Sequence, residues 1–168
     1  MKHLHPWPAL VHAARIWPEA EALVFPHQLA RRSFSQLHDE ALALAGALAA
    51  RGLKRGAHVA LLAENRVEWP VVQMACAALG AIFVPLNTHY RRDDLAYALK
   101  QSDAEVLFCS TQFRSNPFLE HVNSLRAELP FLAHVFTLEQ DYPALISEAH
   151  DFVPAASLAD DTAALLYT

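Results

Sequence analysis

Between residues 35 and 52 the apolar positions Leu37, Ala41, Leu44 and Leu48 return every three or four residues, while His38, Asp39 and Glu40 fall on the other side. That spacing predicts an amphipathic helix. Ser35 is the expected cap of its first free N–H groups, and Arg51-Gly52 the expected stop. Residues 58–63 then form a short run of Val, Ala and Leu with almost no polar alternation, the pattern of a strand covered on both faces. Asn65 and Glu68 stand at capping-box spacing, and Pro70 is tolerable only near a helix start, so a second helix is expected to open there. That helix, through Val71, Val72, Met74, Ala75, Cys76 and Leu79, is apolar on nearly every side and must lie between layers. Gly80 ends it, and 82–86 reads as the next buried strand, with Pro85 at its end where a lost donor is tolerable.

After a loop over 87–92, Asp93 and Asp94 suit the positive end of a third helix that carries Leu95 and Leu99 and closes near Lys100. A strand over 105–109 follows, then a helical stretch over 118–129, a strand over 134–138, a short helix over 142–149, and a last apolar run over 162–168 that reads as a buried strand. Strands alternating with helices predict an α/β fold with an open, mainly parallel sheet flanked by helices, because parallel neighbours need long crossovers. Pro6 and Pro8 are expected to break any early helix. Residues 1–22 are therefore read as a helical or irregular lead-in, and 23–168 as an α/β unit. No internal repeat is present.

Composition narrows the function classes. The chain has 168 residues, 54% of them hydrophobic and 18% charged, with a formal net charge of −5. Its 13 Lys and Arg form no stripe, which argues against nucleic-acid binding. The start lacks the apolar core of a secretory signal, and the longest apolar stretch, 74–86, is too short to span a bilayer and is interrupted by Gly80 and Pro85. Cys76 and Cys109 sit in apolar runs at a spacing that suits no zinc motif, and read as buried reduced thiols. A cytoplasmic location is expected.

Candidate chemistry is sparse. The four glycines stand at 46, 52, 56 and 80, so none can form a phosphate cradle later in the chain. The ten histidines show no metal-ligand spacing, and no serine stands in a G-x-S-x-G elbow. Ser35, Ser102 and Ser110 read as cap or turn residues. The pairs Asp93-Asp94 and Asp160-Asp161 read as helix-start or turn acids, because adjacent helix residues point in different directions.

Several segments together resemble the superfamily of acyl-CoA synthetases, peptide-synthetase adenylation domains and luciferases. Ser33-Phe34-Ser35-Gln36-Leu37 is similar to an early [TS]-[YF]-x-[EQ]-L turn. Ala78-Leu79-Gly80-Ala81-Ile82-Phe83-Val84-Pro85-Leu86-Asn87 resembles L-x-x-G-A-x-x-V-P-L-[ND], preceded at the usual interval by Glu64-Asn65-Arg66 and Glu68-Trp69. Tyr90-Arg91-Arg92 with Leu95, Tyr97, Leu99, Ser102 and Ala104 resembles Y-R-x-x-E-L-x-Y-x-L-x-x-S-x-A, with Asp94 in place of the commoner Glu. Asn87-Thr88 favours the CoA-ligase branch. Tyr167-Thr168 matches the first two residues of [YF]-T-S-G-[ST]-T-G-x-P-K-G.

The resemblance implies the first part of the large N-terminal domain of an acyl-CoA synthetase, ending where the phosphate-binding loop opens. Full-length members use ATP, Mg2+ and CoA to convert a carboxylic acid to an acyl-adenylate and then a thioester. Of the phosphate loop only Thr168 is present, so Thr168 is the one candidate cofactor-binding residue; no catalytic or metal-binding residue is expected. The implied function is that of a fragment of an ATP-dependent fatty-acid or aromatic-acid CoA ligase, inactive alone, showing no ATP–pyrophosphate exchange and binding no cofactor tightly. Its missing partner is the downstream part of its own domain. The apolar helix near Met74 and the last strand are expected to be left uncovered. An alternative of a different class is a non-catalytic α/β module that binds a partner through that apolar surface. A dinucleotide-binding enzyme is disfavoured by the lack of G-x-G-x-x-G after any strand.

Overall fold

Strands made of Val, Ala, Leu and Phe without polar alternation need cover on both sides, and the chain supplies it with helices. A computed structural model describes residues 5–156 and 160–167. In order, it contains helix α1 (Pro6–Ile16), strands β1 (Glu21–Phe25) and β2 (Ala30–Ser33), α2 (Phe34–Ala50), β3 (His58–Leu62), α3 (Glu68–Leu79) and β4 (Ile82–Pro85). Then come α4 (Arg92–Ser102), β5 (Val106–Cys109), α5 (Phe118–Leu125), β6 (His134–Thr137) and α6 (Tyr142–Ser147). The main sheet has the order β4-β3-β5-β6, every neighbouring pair parallel, with Val59 opposite Phe83 on one side and Val106 on the other. β1 and β2 form a separate antiparallel hairpin.

Alternate residues of each strand feed two cores. Val59, Leu61, Phe83, Val106 and Phe108 face a layer that includes Leu10, Leu44, Leu48, Val72 and Leu145 from α1, α2, α3 and α6. Ala60, Leu62, Val84, Leu107 and Cys109 face Leu95, Leu99, Phe118 and Val122 from α4 and α5. The doubly buried sheet is thus the middle of three layers, as the unbroken apolar runs require.

The structure corrects several sequence expectations. Pro6 and Pro8 do not break the early helix; Pro6 opens it, because first-turn N–H groups lack helical acceptors in any case. α1 inserts Trp7 and Leu10 into the core and, together with α2, packs on α3. The apolar helix near Met74 is therefore covered, with Val71, Val72, Ala75 and Cys76 fully buried. Ser33, not Ser35, caps α2: its Oγ accepts from the Gln36 N–H at 3.3 Å while the Gln36 side chain accepts from the Ser33 N–H at 2.9 Å. Asn65 and Glu68 form no capping box, since the residue preceding α3 is Val67 and no side chain of its own caps it. Finally, the run expected as a buried strand over 162–168 is none over its described residues, 162–167. Residues 162–166 are exposed, and only Ala164 pairs with the sheet, beside Phe83.

Gly80 ends α3 in the left-handed region at φ 72°. A Cβ there would stand 3.1 Å from Arg55 Cγ and 3.3 Å from Ala155 Cβ. Gly80→Ala is expected to destabilise the fold by about 1–3 kcal/mol through backbone strain and crowding together. Urea unfolding followed by circular dichroism should show a lower midpoint at unchanged slope.

Candidate functional site

β3 leads through α3 outward to β4, whereas its neighbour β5 leads through α5 the opposite way to β6. The loops after β3 and β5 therefore part at the carboxyl edge of the sheet, the place where open α/β sheets form crevices. Arg66, in the loop after β3, is 8% exposed and lies at the centre of an ion-pair network at this edge. Its Nε and Nη2 donate to the two carboxylate oxygens of Glu68 at 2.8 and 3.0 Å. Its Nη1 donates to Ser110 Oγ at 3.1 Å and to Glu139, which follows β6. Ser110 in turn donates to Glu64 at 2.8 Å, and Glu139 accepts the Thr111 N–H at 3.0 Å.

The hairpin reaches this network as well. Gln28, in the turn between β1 and β2, accepts from the Val67 N–H at 2.6 Å and donates to Glu68 at 3.2 Å. Burial opposes the charge on Arg66, but its hydrogen bonds to Glu68 and Glu139 outweigh that and raise its pKa. Burial likewise pushes the Glu68 carboxyl up, yet hydrogen bonds from Arg66, its own backbone and Gln28 bring it below the usual carboxylate range. The group of one guanidinium and several carboxylates offers no free base or nucleophile. It ties four segments together.

Beside it lies a cleft of about 200 Å³ between the loops after β4 and β5, lined by Thr88, His89, Arg91, Phe113, Arg114, Ser115 and Asn116. Asn116, buried, holds the two walls: its Nδ2 donates to the carbonyls of Thr88 at 3.1 Å and Tyr90 at 2.9 Å, and its Oδ1 accepts from Arg91 Nη1 at 3.1 Å. The turn between Phe113 and Asn116 is closed by reciprocal backbone bonds of 3.0 and 2.9 Å. Within it Arg114 adopts φ 53° and lays its guanidinium over the Phe113 ring, 5.2 Å from the centroid. Two arginines and no carboxylate line this cleft, so it suits an anionic group such as a phosphate. Arg91 belongs to the motif noted in the sequence. Arg114 and Asn116 do not stand out there; the only local hint is the turn-forming run Arg114-Ser115-Asn116-Pro117.

Thr168, the candidate cofactor-binding residue, lies outside the described residues. Its neighbour Tyr167 packs near Tyr90, Tyr97 and Asp94 at the start of α4. Of the glycines, Gly46 is inside α2, Gly52 and Gly56 precede β3, and Gly80 precedes β4. None stands at the carboxyl edge, so the described residues do not fit a triphosphate-wrapping loop. Nor is there among them a group of three or more His, Cys, Asp or Glu side chains that could hold a metal ion. Burial pushes the Cys76 thiol up and the Cys109 thiol up to about 12, so neither is a nucleophile at neutral pH. No helix among the described residues is long and apolar enough to cross a membrane.

Comparison with known proteins agrees with this architecture. The family model described as "AMP-binding enzyme" matches residues 10–168. The putative acyl-CoA synthetase YngI of Bacillus subtilis (strain 168) is 38% identical over 136 residues, covering 81% of this chain and 25% of its own length. The crystal structure of the N-terminal domain of FACL13 from Mycobacterium tuberculosis superposes with a TM-score of 0.84 at 28% identity, over 95% of this chain and 40% of that one. The anthranilate CoA ligase AuaEII, solved in complex with anthranoyl-AMP, gives a TM-score of 0.82 at 25% identity, over 93% of this chain and 29% of that one. The chain thus spans a quarter or less of the curated relatives it matches.

Proposed function

The chain belongs to the AMP-binding enzyme family, and from that premise we propose that it forms part of an ATP-dependent carboxylic acid–CoA ligase acting on fatty or aromatic acids. In this reading residues 23–168 are part of an adenylate-forming domain, and 1–22 are a lead-in that adds α1 to its outer layer. Relatives that are a putative acyl-CoA synthetase and an anthranilate CoA ligase support the reading. A cytoplasmic site of action belongs to the same proposal, supported by two buried cysteines that form no disulfide.

The observation that carries the proposal is the cleft with Arg91 and Arg114 at the carboxyl edge of the sheet. CoA brings phosphates to the reaction, and these two guanidiniums, with backbone fixed by Asn116, would hold phosphate oxygens there. CoA itself supplies the thiol that accepts the acyl group. The triphosphate of ATP and its Mg2+ find no fitting site among the described residues, and no step is assigned through them. The interaction-module alternative loses the larger part of the surface it relied on, because α1 and α2 cover the apolar face of α3, and of that surface only the last apolar run stays exposed, at 162–166.

Titrating CoA into the isotopically labelled chain is expected to shift the backbone resonances of Thr88, His89, Arg114 and Ser115 at millimolar concentration. Arg114→Ala is expected to weaken the response by about tenfold, the loss of one charge-assisted contact. Shifts elsewhere, or an unchanged response in the variant, would refute the assignment of this cleft.

A further inference from the structure

After α6 the chain forms no further helix or strand among the described residues, yet it is fastened along a path across α2 and α3 to the edge of β4. Arg51, at the end of α2, grips Glu148 with two hydrogen bonds of 2.8 and 2.7 Å. Gly46 makes room for the next turn, because a Cβ there would stand 3.0 Å from His150 Cβ and 3.2 Å from Phe152 Cβ. The Ala155 N–H donates to the Ala78 carbonyl at 2.8 Å, satisfying a free acceptor in the last turn of α3.

Arg55 then makes two grips, one on either side of residues 157–159. Nη1 donates to the Ala156 carbonyl, and Nη2 donates to both carboxylate oxygens of Asp161. The Arg55 stem rests where Gly80 lacks a side chain. Two residues beyond Asp161, the Ala163 carbonyl accepts from the Phe83 N–H at 3.1 Å, and the Leu165 N–H donates to the Phe83 carbonyl at 2.9 Å. This single parallel bridge is all the pairing β4 receives on its outer edge among the described residues, too little to define a register by itself.

We propose that Arg55 is a positioning residue: by clasping Ala156 and Asp161 it sets the register in which residues 163–165 join the edge of β4, and hence the point from which Tyr167 leaves the sheet. Under the ligase reading that point is where the phosphate-gripping loop opens. The placement itself does not depend on that reading.

The test compares Arg55→Met, which keeps the stem over Gly80 and loses the charge, with Arg55→Lys and Asp161→Asn. The readouts are nuclear Overhauser contacts between Phe83 and Ala164 and the hydrogen-exchange rate of the Leu165 amide, with the Leu61 and Leu107 amides as references. In Arg55→Met and Asp161→Asn the Phe83–Ala164 contacts should vanish and Leu165 exchange should rise about tenfold, while the references hold. Arg55→Lys should restore most of the protection. Unchanged contacts and exchange in Asp161→Asn would overturn the proposal, even where Arg55→Met fails to fold. A loss shared equally by Leu61 and Leu107 would overturn it too, by making Arg55 a stabiliser of the whole sheet. No readout uses CoA or ATP, so a failure of the Arg55 clasp is distinguishable from a failure of the CoA cleft.

Discussion

Arg66→Met is expected to destabilise the fold by about 3–5 kcal/mol at neutral pH, the usual consequence of removing one partner from a buried ion pair. Glu68 would stay buried with two of its donors gone, and Glu64 and Glu139 would face it without the guanidinium between them. The pH dependence makes the origin of the loss checkable. In the parent protein the Glu68 carboxyl lies below its ordinary value, so its share of stability is present above the unfolded pKa of about 4.3 and fades as pH falls through the folded one. In the variant, burial acts without Arg66 to oppose it and should lift the carboxyl above that unfolded value. Protonation then favours the folded state, so the variant should gain stability on going from pH 7 toward pH 4, a range in which the parent gains none. Urea unfolding of both proteins between pH 7 and 4 measures this directly. A constant difference across that range would show that the loss comes from packing and not from the stranded carboxylate.

Phe108→Ala is expected to cost a similar amount, about 3–5 kcal/mol, for a different reason. Phe108 is fully buried in β5, where it shares a cluster with Val59, Leu61 and Phe83 and lies 5.4 Å from the Phe136 ring. It stands in an interior strand, between β3 and β6, so the surroundings have little freedom to close over the cavity. The thermal midpoint should fall by roughly 10 °C. Leu166→Ser is the control. That side chain is 71% exposed, and its replacement should change stability by no more than about 0.5 kcal/mol.

Residues 58–63, 82–86 and 105–109 are legible as strands because an apolar run without alternation has few other uses in a chain of this polarity. The structure bears them out within a residue or two at their ends. α1 is hidden by Pro6 and Pro8, which look like breakers although the first turn of a helix has no N–H bonds for proline to remove. The β1–β2 hairpin leaves little trace in the sequence. Its turn has no Asn-Gly or Asp-Gly, and it bends instead through Leu29 at φ 51°. The run over 162–168 misleads in the other direction, since an apolar run marks a strand only where a neighbour is available, and among the described residues only Phe83 takes part.

For the site, Arg66 and Arg91 stand in recognisable motifs, but their partners do not. Ser110 and Glu139 lie 44 and 73 positions from Arg66, and Asn116 lies 25 from Arg91. Nothing local in the sequence joins them; the parallel crossovers do.

The borrowed cap on α3 bears on how this molecule is assembled. The Val67 N–H is satisfied by Gln28, 39 positions earlier, so the helix that joins β3 to β4 begins well only once the hairpin has come to rest against it. A shortened protein beginning at Phe34 would keep every strand of the parallel sheet, yet would hold its first crossover with a loose leading turn and an under-bonded Glu68. The hairpin that looks like an ornament thus serves as the latch of the fold.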